Sequence, residues 1–450
     1  MQEKKSISGV TRTRISIRRD LNRLLQLGVL APRVGMHELL PTLNQYATDT
    51  LTALYEDHKV CTVVAERLDD CGEMRSLSQR LQPTTATMAR RHGETDEVLE
   101  LLKAVGREAS AEMSLIKGLA SQRLYDEPRR RHIGDFDVYV ATVKEAWSCA
   151  VALLARGFDF APGELPWFKR DDDVTYGQIR LGRLDKDLWI DIHFGYYSVR
   201  NCARLEVSAP AGDGAVPAEE NIPMMVANAA GDCFTTLKDL NDLYLAVTVG
   251  GVDWDDARRR IRSARLDGYF NGMLKRLETL FDLGDRRSAV RELRFPRAYE
   301  PRPSLLQPSW TGRCLLTTWH TWRVTARSPL RRRGIITREA WRYYRRPLAA
   351  PLVTKTAPAV RLRPETLTSW ICVRAVPVEI LGLSPQSPPW EKGNIAQAGW
   401  QITDGVEVVS LDDMDILIAD GKVLIPTVYG SISERQVNAA LRRHRYAVTD

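Results

Sequence analysis

Asp135 and Asp137 stand one residue apart in the run "RRRHIGDFDVYV", residues 129–140. In a β-strand alternate side chains share a face, so both carboxylates point one way while Phe136, Val138 and Val140 point the other. Two carboxylates on one face are a ligand pair for a hard divalent cation. Mg²⁺ takes oxygen ligands and is usually held by one or two carboxylates together with substrate phosphates. The plainer reading is a half-buried strand showing its wet face. A third carboxylate, Asp191, sits in a second strand-like run, "DLWIDIHFGYY". Two strands carrying three aspartates can hold two such ions, the arrangement used for in-line attack on a nucleotide α-phosphate. Upstream, "SLIKGLASQRLY" reads as a short strand, then Lys117-Gly118, then a helix. A glycine at a helix start lets backbone N–H groups approach phosphates, and Lys117 offers a point charge.

The elements that position these residues follow from apolar spacing. "RRDLNRLLQLGVLAP" carries Leu21, Leu24, Leu25, Leu27 and Leu30, with Gly28 and Pro32 as helix breakers. "ETDEVLELLKAVGREAS" is a helix with acids in its first turn, and Met113 to Ile116 is a short apolar strand. After the aspartate strand, "TVKEAWSCAVALLARGFDF" is an amphipathic helix closed by Gly157. Residues 159–188, including "RDDDVTYG", read as polar and loop-rich. Two helical blocks follow Asp232. Near the end, "VEVVSL", "DILIAD" and "KVLIPTVYG" are strand-like, with Asp420-Gly421 between the last two as a hairpin signal, and "SERQVNAALRRHR" is a closing helix. The expected fold class is α/β (α+β), a mixed sheet flanked by helices. The expected divisions are a helical region 1–93, a core 94–210, a helical subdomain 211–295, a basic Trp/Arg-rich connector 296–364 and a small α+β domain 365–450.

Charge and cysteine usage narrow the classes. The formal net charge is +7. Ten arginines and one carboxylate, Glu339, lie between Thr311 and Arg346, so that segment alone carries +9 and the rest sums to −2. Its arginines alternate with Trp319, Trp322, Trp341, Tyr343 and Tyr344. That composition suits contact with single-stranded RNA, an anionic lipid surface, or an arm that packs its rings and extends its arginines to water. The seven cysteines are dispersed without a C-x-x-C pair, which points to reduced thiols and a cytoplasmic setting. No apolar run is long enough to span a bilayer, and the first residues lack the apolar stretch of a secretory signal.

In order and spacing, "SLIKGLASQRLY", "RRHIGDFDVYV", "LLARGFDF" and "LWIDIHF" resemble the DNA-polymerase-β-like nucleotidyltransferases. Within that superfamily the chain is most similar to the uncharacterised bacterial group with the pattern LKG…RxxGDxDhhV…(D/E)hH, over about residues 94–285. The resemblance implies transfer of a nucleoside monophosphate from an NTP to an acceptor, with release of pyrophosphate. It implies two Mg²⁺ ions, with Mn²⁺ as the alternative, held by Asp135, Asp137 and Asp191. It places Gly118 and Lys117 at the nucleotide turn and matches Arg131 to the arginine before the first aspartate. "LKDLNDLYL" resembles the lysine-and-aspartate helix of toxin-type relatives, which implies Lys238 for the triphosphate and Asp242 in support. The superfamily's turn carries Gly-Ser or Gly-Gly; here it is Gly118-Leu119, with Ser121 one turn later as the substitute. An ordinary helix ion pair between Lys238 and Asp242 is the bland alternative, and His193 is either a site contact or a histidine bonded to its neighbours. The acceptor is left open: a small metabolite, a peptide or protein, or an RNA end. Two other functions fit the same residues. One is a metal-dependent glycosyltransferase, which needs a longer nucleotide-binding half before Asp135. The other is a non-catalytic nucleotidyltransferase-like scaffold that binds RNA or peptide.

Overall fold

The computed structural model describes residues 17–296, except 73, 162–164, 200–202 and 209–213, and then residues 304–324. Beyond these it describes 330, 334, 337, 341, 352–354, 360, 362, 367, 372–378, 400–411, 414–428, 431–433 and 436–437. Most of the basic segment after Val324 and most of the closing helix therefore lie outside the described residues.

The N-terminal region is helical as expected: α1 (Met36–Leu43), α2 (Thr48–Asp57), α3 (Cys61–Cys71), α4 (Arg75–Gly93) and α5 (Thr95–Glu108). The next stretch alternates β1 (Ser114–Leu115), α6 (Lys117–Gln122), β2 (Phe136–Val140), α7 (Val143–Leu154) and β3 (Asp159–Phe160). Helix α7 starts where the sequence provides a capping box: Thr142 accepts from the Glu145 N–H and Glu145 accepts from the Thr142 N–H. Then come β4 (Trp167–Asp171), β5 (Val174–Arg183), β6 (Leu188–Phe194), β7 (Tyr197–Val199) and β8 (Ala203–Leu205). Residues 159–188, expected as loop, are largely the β4–β5 hairpin. In β5 the polar Gln178 and Arg180 alternate with Ile179 and Leu181, which are buried.

Helices α8 (Ala218–Asp232), α9 (Leu237–Val249), α10 (Trp254–Ser263), α11 (Asp267–Leu280) and α12 (Arg287–Glu292) follow, then α13 (Trp310–Val324). The last elements are β9 (Leu352–Thr354), β10 (Val373–Pro377), β11 (Trp400–Thr403), β12 (Val406–Leu411), β13 (Met414–Ala419), β14 (Lys422–Val428) and β15 (Ser431–Ser433). The β13–β14 hairpin turns through Asp420 and Gly421, both with positive φ, as a two-residue turn of that twist requires.

One mixed sheet joins most of these strands in the order β1-β2-β6-β5-β4-β10-β14-β13-β12-β11. Only β2–β6 is parallel along that path. Among the described residues the C-terminal strands join the central sheet through the β4–β10 ladder. One sheet face packs on α5 and α7 in a core of Val98, Leu102, Phe136, Trp147, Ile179 and Ile192, extended by Val373 and Leu424. Trp147, fully buried, stacks on Phe168 with ring centroids 6.0 Å apart. A second core joins the N-terminal helices to α8–α11, with Leu51, Tyr55, Leu240 and Phe270 at its centre. The fold is thus mixed α/β: helices, sheet, helices, with one sheet face left for polar residues.

Candidate functional site

Register fixes which side chains meet on that polar face. In the parallel β2–β6 ladder Asp137 is opposite Asp191, and Tyr139 opposite His193. In the antiparallel β5–β6 ladder Arg180 is opposite Asp191, and Gln178 opposite His193. Directly opposed residues project to the same face. Phe136, Val138, Ile190 and Ile192 alternate with them and fill the core behind. Ligand atoms of Asp137, Asp191 and His193 all lie within 4.8 Å of one another, and all three residues are buried. Asp135, one residue ahead of β2, opens onto the same cavity, with its Oδ2 3.7 Å from Arg180 Nη1. The compact group thus takes His193 as its third member, with Asp135 beside it.

The charges are unevenly compensated. Asp137 is ion-paired with the Lys117 ammonium and accepts from His193 Nε2 at 3.2 Å. Burial works against its charged form, but Lys117 and His193 together hold its carboxyl well below the usual carboxylate range. Lys117, half-buried, would be lowered by desolvation, but Asp137 holds it above its ordinary value. Asp191 goes the opposite way. Burial, and the charges of Asp135 and Asp137, push its carboxyl well above the usual range. Gln178 Nε2 donates to Asp191 Oδ2 at 2.7 Å, and Arg180 Nε lies 3.4 Å from Oδ1. Burial and the nearby Lys117 lower the His193 imidazole, so its Nε2–H faces Asp137 and its Nδ1 carries a lone pair. Among the described residues buried His193 Nδ1 makes no hydrogen bond, and Asp191 Oδ1 has the Arg180 ion pair but no hydrogen bond. Orphaned acceptors beside clustered carboxylates are what a divalent cation satisfies. The carboxylate oxygens suit Mg²⁺, and the imidazole nitrogen extends the donor set toward Mn²⁺.

Beside the carboxylates, α8 secures the turn at Lys117. Lys117 has a left-handed φ of 49°, and the Asn221 side chain holds it on both sides. The Lys117 N–H donates to Asn221 Oδ1 at 2.6 Å, while Asn221 Nδ2 donates to the Lys117 carbonyl at 3.2 Å and to Ser121 Oγ at 2.9 Å. Ser121 is accordingly buried against Asn221. Gly118 is needed for closeness: a Cβ there would lie 3.0 Å from Arg131 Nη1. Arg131 in turn forks onto Asp242, with Nε–Oδ1 3.1 Å and Nη2–Oδ2 2.8 Å, and Tyr125 donates to the same Oδ1 at 2.8 Å.

With Asp242 engaged by Arg131, the alternative of an ordinary Lys238–Asp242 helix ion pair is not what the structure shows. Lys238 Nζ instead lies 3.5 Å from Asp239 Oδ1, and burial lowers its ammonium below the ordinary value. His58 anchors the start of α9, accepting the Leu237 N–H at Nδ1 (3.0 Å) and donating Nε2–H to the Leu305 carbonyl (3.0 Å). All nine residues singled out from the sequence line one cavity of about 440 Å³.

Some residues of this cavity escape a reading of the sequence. Gln178 and Arg180 fall in the stretch expected as loop, although "YGQIRLG" alternates polar and apolar positions as a strand does. Asn221 is a lone amide in the apolar run "NIPMMVANAA", and Arg374 a lone charge in "ICVRAVPV". Each is visible as a polar residue in a segment that otherwise reads as core.

A model of a family described as uncharacterised nucleotidyltransferases matches residues 45–282. The chain belongs to that family. The match takes in the N-terminal helices from α2, the aspartate strands and the helices through α11, and so all nine residues singled out from the sequence. One solved structure similar to the chain is the crystal structure of JHP933 from Helicobacter pylori, 14% identical, covering 52% of this chain and 95% of that one with a TM-score of 0.21. No curated protein matches. Among the described residues one short strand, β1, precedes Asp135, and no helix is long and apolar enough to cross a membrane.

Proposed function

We propose that this nucleotidyltransferase-family chain moves a nucleoside monophosphate from an NTP to an acceptor hydroxyl and releases pyrophosphate. The observation that carries the reading is the meeting of Asp135, Asp137 and Asp191 in one cavity with Lys117, Gly118, Arg131 and Lys238. Asp137, Asp191 and His193, with Asp135 at the mouth, would hold the divalent cations. Bound there, such ions supply charge neutralisation at the α-phosphate and the leaving oxygen. The chain's own groups do the rest. The Lys117 and Lys238 ammoniums face the triphosphate, and the α6 turn brings backbone N–H groups to it. Asp191, which would also hold a cation, orients the acceptor hydroxyl and helps take its proton. The acceptor oxygen bonds to the α-phosphorus as the bond to the bridging α–β oxygen breaks, and the electron pair leaves with pyrophosphate.

The test is purified protein with each NTP and Mg²⁺, following pyrophosphate release and any nucleotidyl mass gained by a co-incubated acceptor or by the protein. The expected result is release with at least one NTP, lost in Asp135→Asn/Asp137→Asn. A second reading, a non-catalytic scaffold, is favoured by one contact. Lys117 already supplies Asp137 with a cation of its own. That reading predicts no divalent requirement for nucleotide binding.

A further inference from the structure

Folded domains normally leave large apolar side chains exposed singly, and a concentration of them marks a contact surface. Among the described residues the large apolar side chains left exposed are Val249, Leu315, Leu316, Trp319, Leu330 and Trp341. All but Val249 fall within residues 315–341. On α13, Leu315, Leu316 and Trp319 stand at i, i+1 and i+4, which at about 3.6 residues per turn puts them on one side of the helix. They are 57%, 44% and 58% exposed, while Cys314, on the other side, is 3% exposed. The helix therefore packs on the protein by one side and turns leucine and tryptophan outward by the other. Leu330, Gly334, Thr337 and Trp341 are also helical. Their spacing of i, i+4, i+7 and i+11 is that of one helix face, with exposed Leu330 and Trp341 at its two ends.

The same stretch carries the chain's positive charge. The ten arginines and one carboxylate of residues 311–346 give +9 and the rest of the chain sums to −2, so the charge is not neutralised within the chain. Helices that lie in a bilayer interface turn leucine and tryptophan to the acyl boundary and meet anionic headgroups with arginine. Three of the five exposed side chains are leucines. Leucine buries well in hydrocarbon but offers no ring on which a base can stack, so the composition favours lipid over single-stranded RNA. A second copy of the chain would bring two positive segments face to face. Helix α13 has 15 residues, and among the described residues no helix is long and apolar enough to cross a bilayer, so the contact is one of the interface.

We propose that α13, with the helical face of Leu330 and Trp341, forms a docking surface for an anionic lipid bilayer. Leu315, Leu316, Trp319, Leu330 and Trp341 enter the headgroup–acyl boundary, and the arginines of the segment meet anionic headgroups. The proposal does not rest on nucleotidyl transfer. Arg313 of α13 lines the site cavity, so one helix joins the lipid contact to the cavity wall. The surface lies outside residues 45–282, in the part of the chain beyond the family match.

The test is flotation of the full-length protein with phosphatidylcholine vesicles, with and without phosphatidylserine. The proposal predicts binding at least tenfold tighter with phosphatidylserine, weakening as NaCl is raised. Leu315→Gln/Leu316→Gln/Trp319→Gln lowers vesicle affinity at least tenfold and leaves the urea unfolding midpoint unchanged, because all three side chains are exposed. Trp319→Gln alone lowers it at least threefold and keeps the test open if the triple variant does not fold. No binding to anionic vesicles, equal binding to both vesicle types, or variants that bind as wild type does overturns the proposal. A lowered midpoint in Trp319→Gln also overturns it, because the face would then be packed within the chain. Binding of a labelled oligouridylate but not of vesicles, lost in the same variants, overturns it in favour of RNA. Dimerisation in sedimentation without vesicle binding, lost in the same variants, overturns it in favour of a second copy.

Discussion

Replacing Asp242 by asparagine isolates the buried Arg131–Asp242 pair. The two side chains are 4% and 2% exposed, and the guanidinium makes two hydrogen bonds of 3.1 and 2.8 Å to the carboxylate. Burial alone would lower the Arg131 guanidinium, and the Asp242 charge overrides it. In Asp242→Asn the amide keeps one acceptor for Tyr125 and Arg131 but leaves the guanidinium without its counter-charge. Breaking one partner of a buried pair costs about 3–5 kcal/mol, because the remaining charge is desolvated and uncompensated. The cavity on one side of the pair admits water, so the lower end, about 3 kcal/mol, is expected. The double change Arg131→Met/Asp242→Leu removes both charges and should recover most of that loss. Urea unfolding followed by tryptophan fluorescence on wild type, Arg131→Met, Asp242→Leu and the double variant gives the coupling directly. A coupling of about 2–3 kcal/mol is expected. Single variants within about 0.5 kcal/mol of wild type, or a double variant equal to the sum of the singles, would refute the clamp.

Three further outcomes follow from the same structure. His58 is held neutral between two backbone groups, and burial lowers it from 6.5 to about 4. The unfolded chain therefore binds a proton that the native one refuses as pH falls from about 6.5 toward 4. Up to about 3 kcal/mol of stability, fully present above pH 6.5, is lost across that window, and His58→Gln should flatten the slope in a pH series of unfolding midpoints. Gly177→Ala would put a Cβ 2.0 Å from the Trp167 carbonyl oxygen and 2.7 Å from Phe194, forcing β4 away from β5. It should cost about 1–3 kcal/mol in the same unfolding assay, and an unchanged midpoint would contradict the hairpin packing. Lys117→Met removes the ammonium that competes for Asp137, so Mn²⁺ binding without nucleotide should tighten about tenfold by calorimetry, equivalent to about 1.4 kcal/mol. Weaker Mn²⁺ binding would show that Lys117 does not occupy the cation's place.

Much of the site is legible because strand alternation is a local rule. Asp135 and Asp137 opposite apolar partners, and Asp191 in "LWIDIHF", announce their face from the sequence alone. What stays hidden depends on register between distant strands. That Gln178 and Arg180 meet Asp191, or that Arg374 stands opposite Trp167, is set by ladders that no local pattern encodes. The polar hairpin reads as loop for a related reason: its wet face is the cavity wall, so its hydrophilic residues mimic exposure. The Lys238–Asp242 spacing misleads because two other partners, Asp239 for Lys238 and Arg131 for Asp242, compete for the same charges. Three of the C-terminal strands, β12, β13 and β14, are recognisable singly, while β10 and its junction with the central sheet through β4 are not.

The central claim is that Asp137, Asp191 and their neighbours form a divalent-cation site that receives an NTP. Calorimetric titration of each NTP into the full-length protein, with Mg²⁺ and then with EDTA, tests it most directly, with Asp137→Asn and Asp191→Asn alongside. The account predicts binding of at least one NTP that weakens at least tenfold in EDTA and in both variants. Binding of equal strength in EDTA and in both variants, or no NTP binding at any Mg²⁺ concentration, would contradict it.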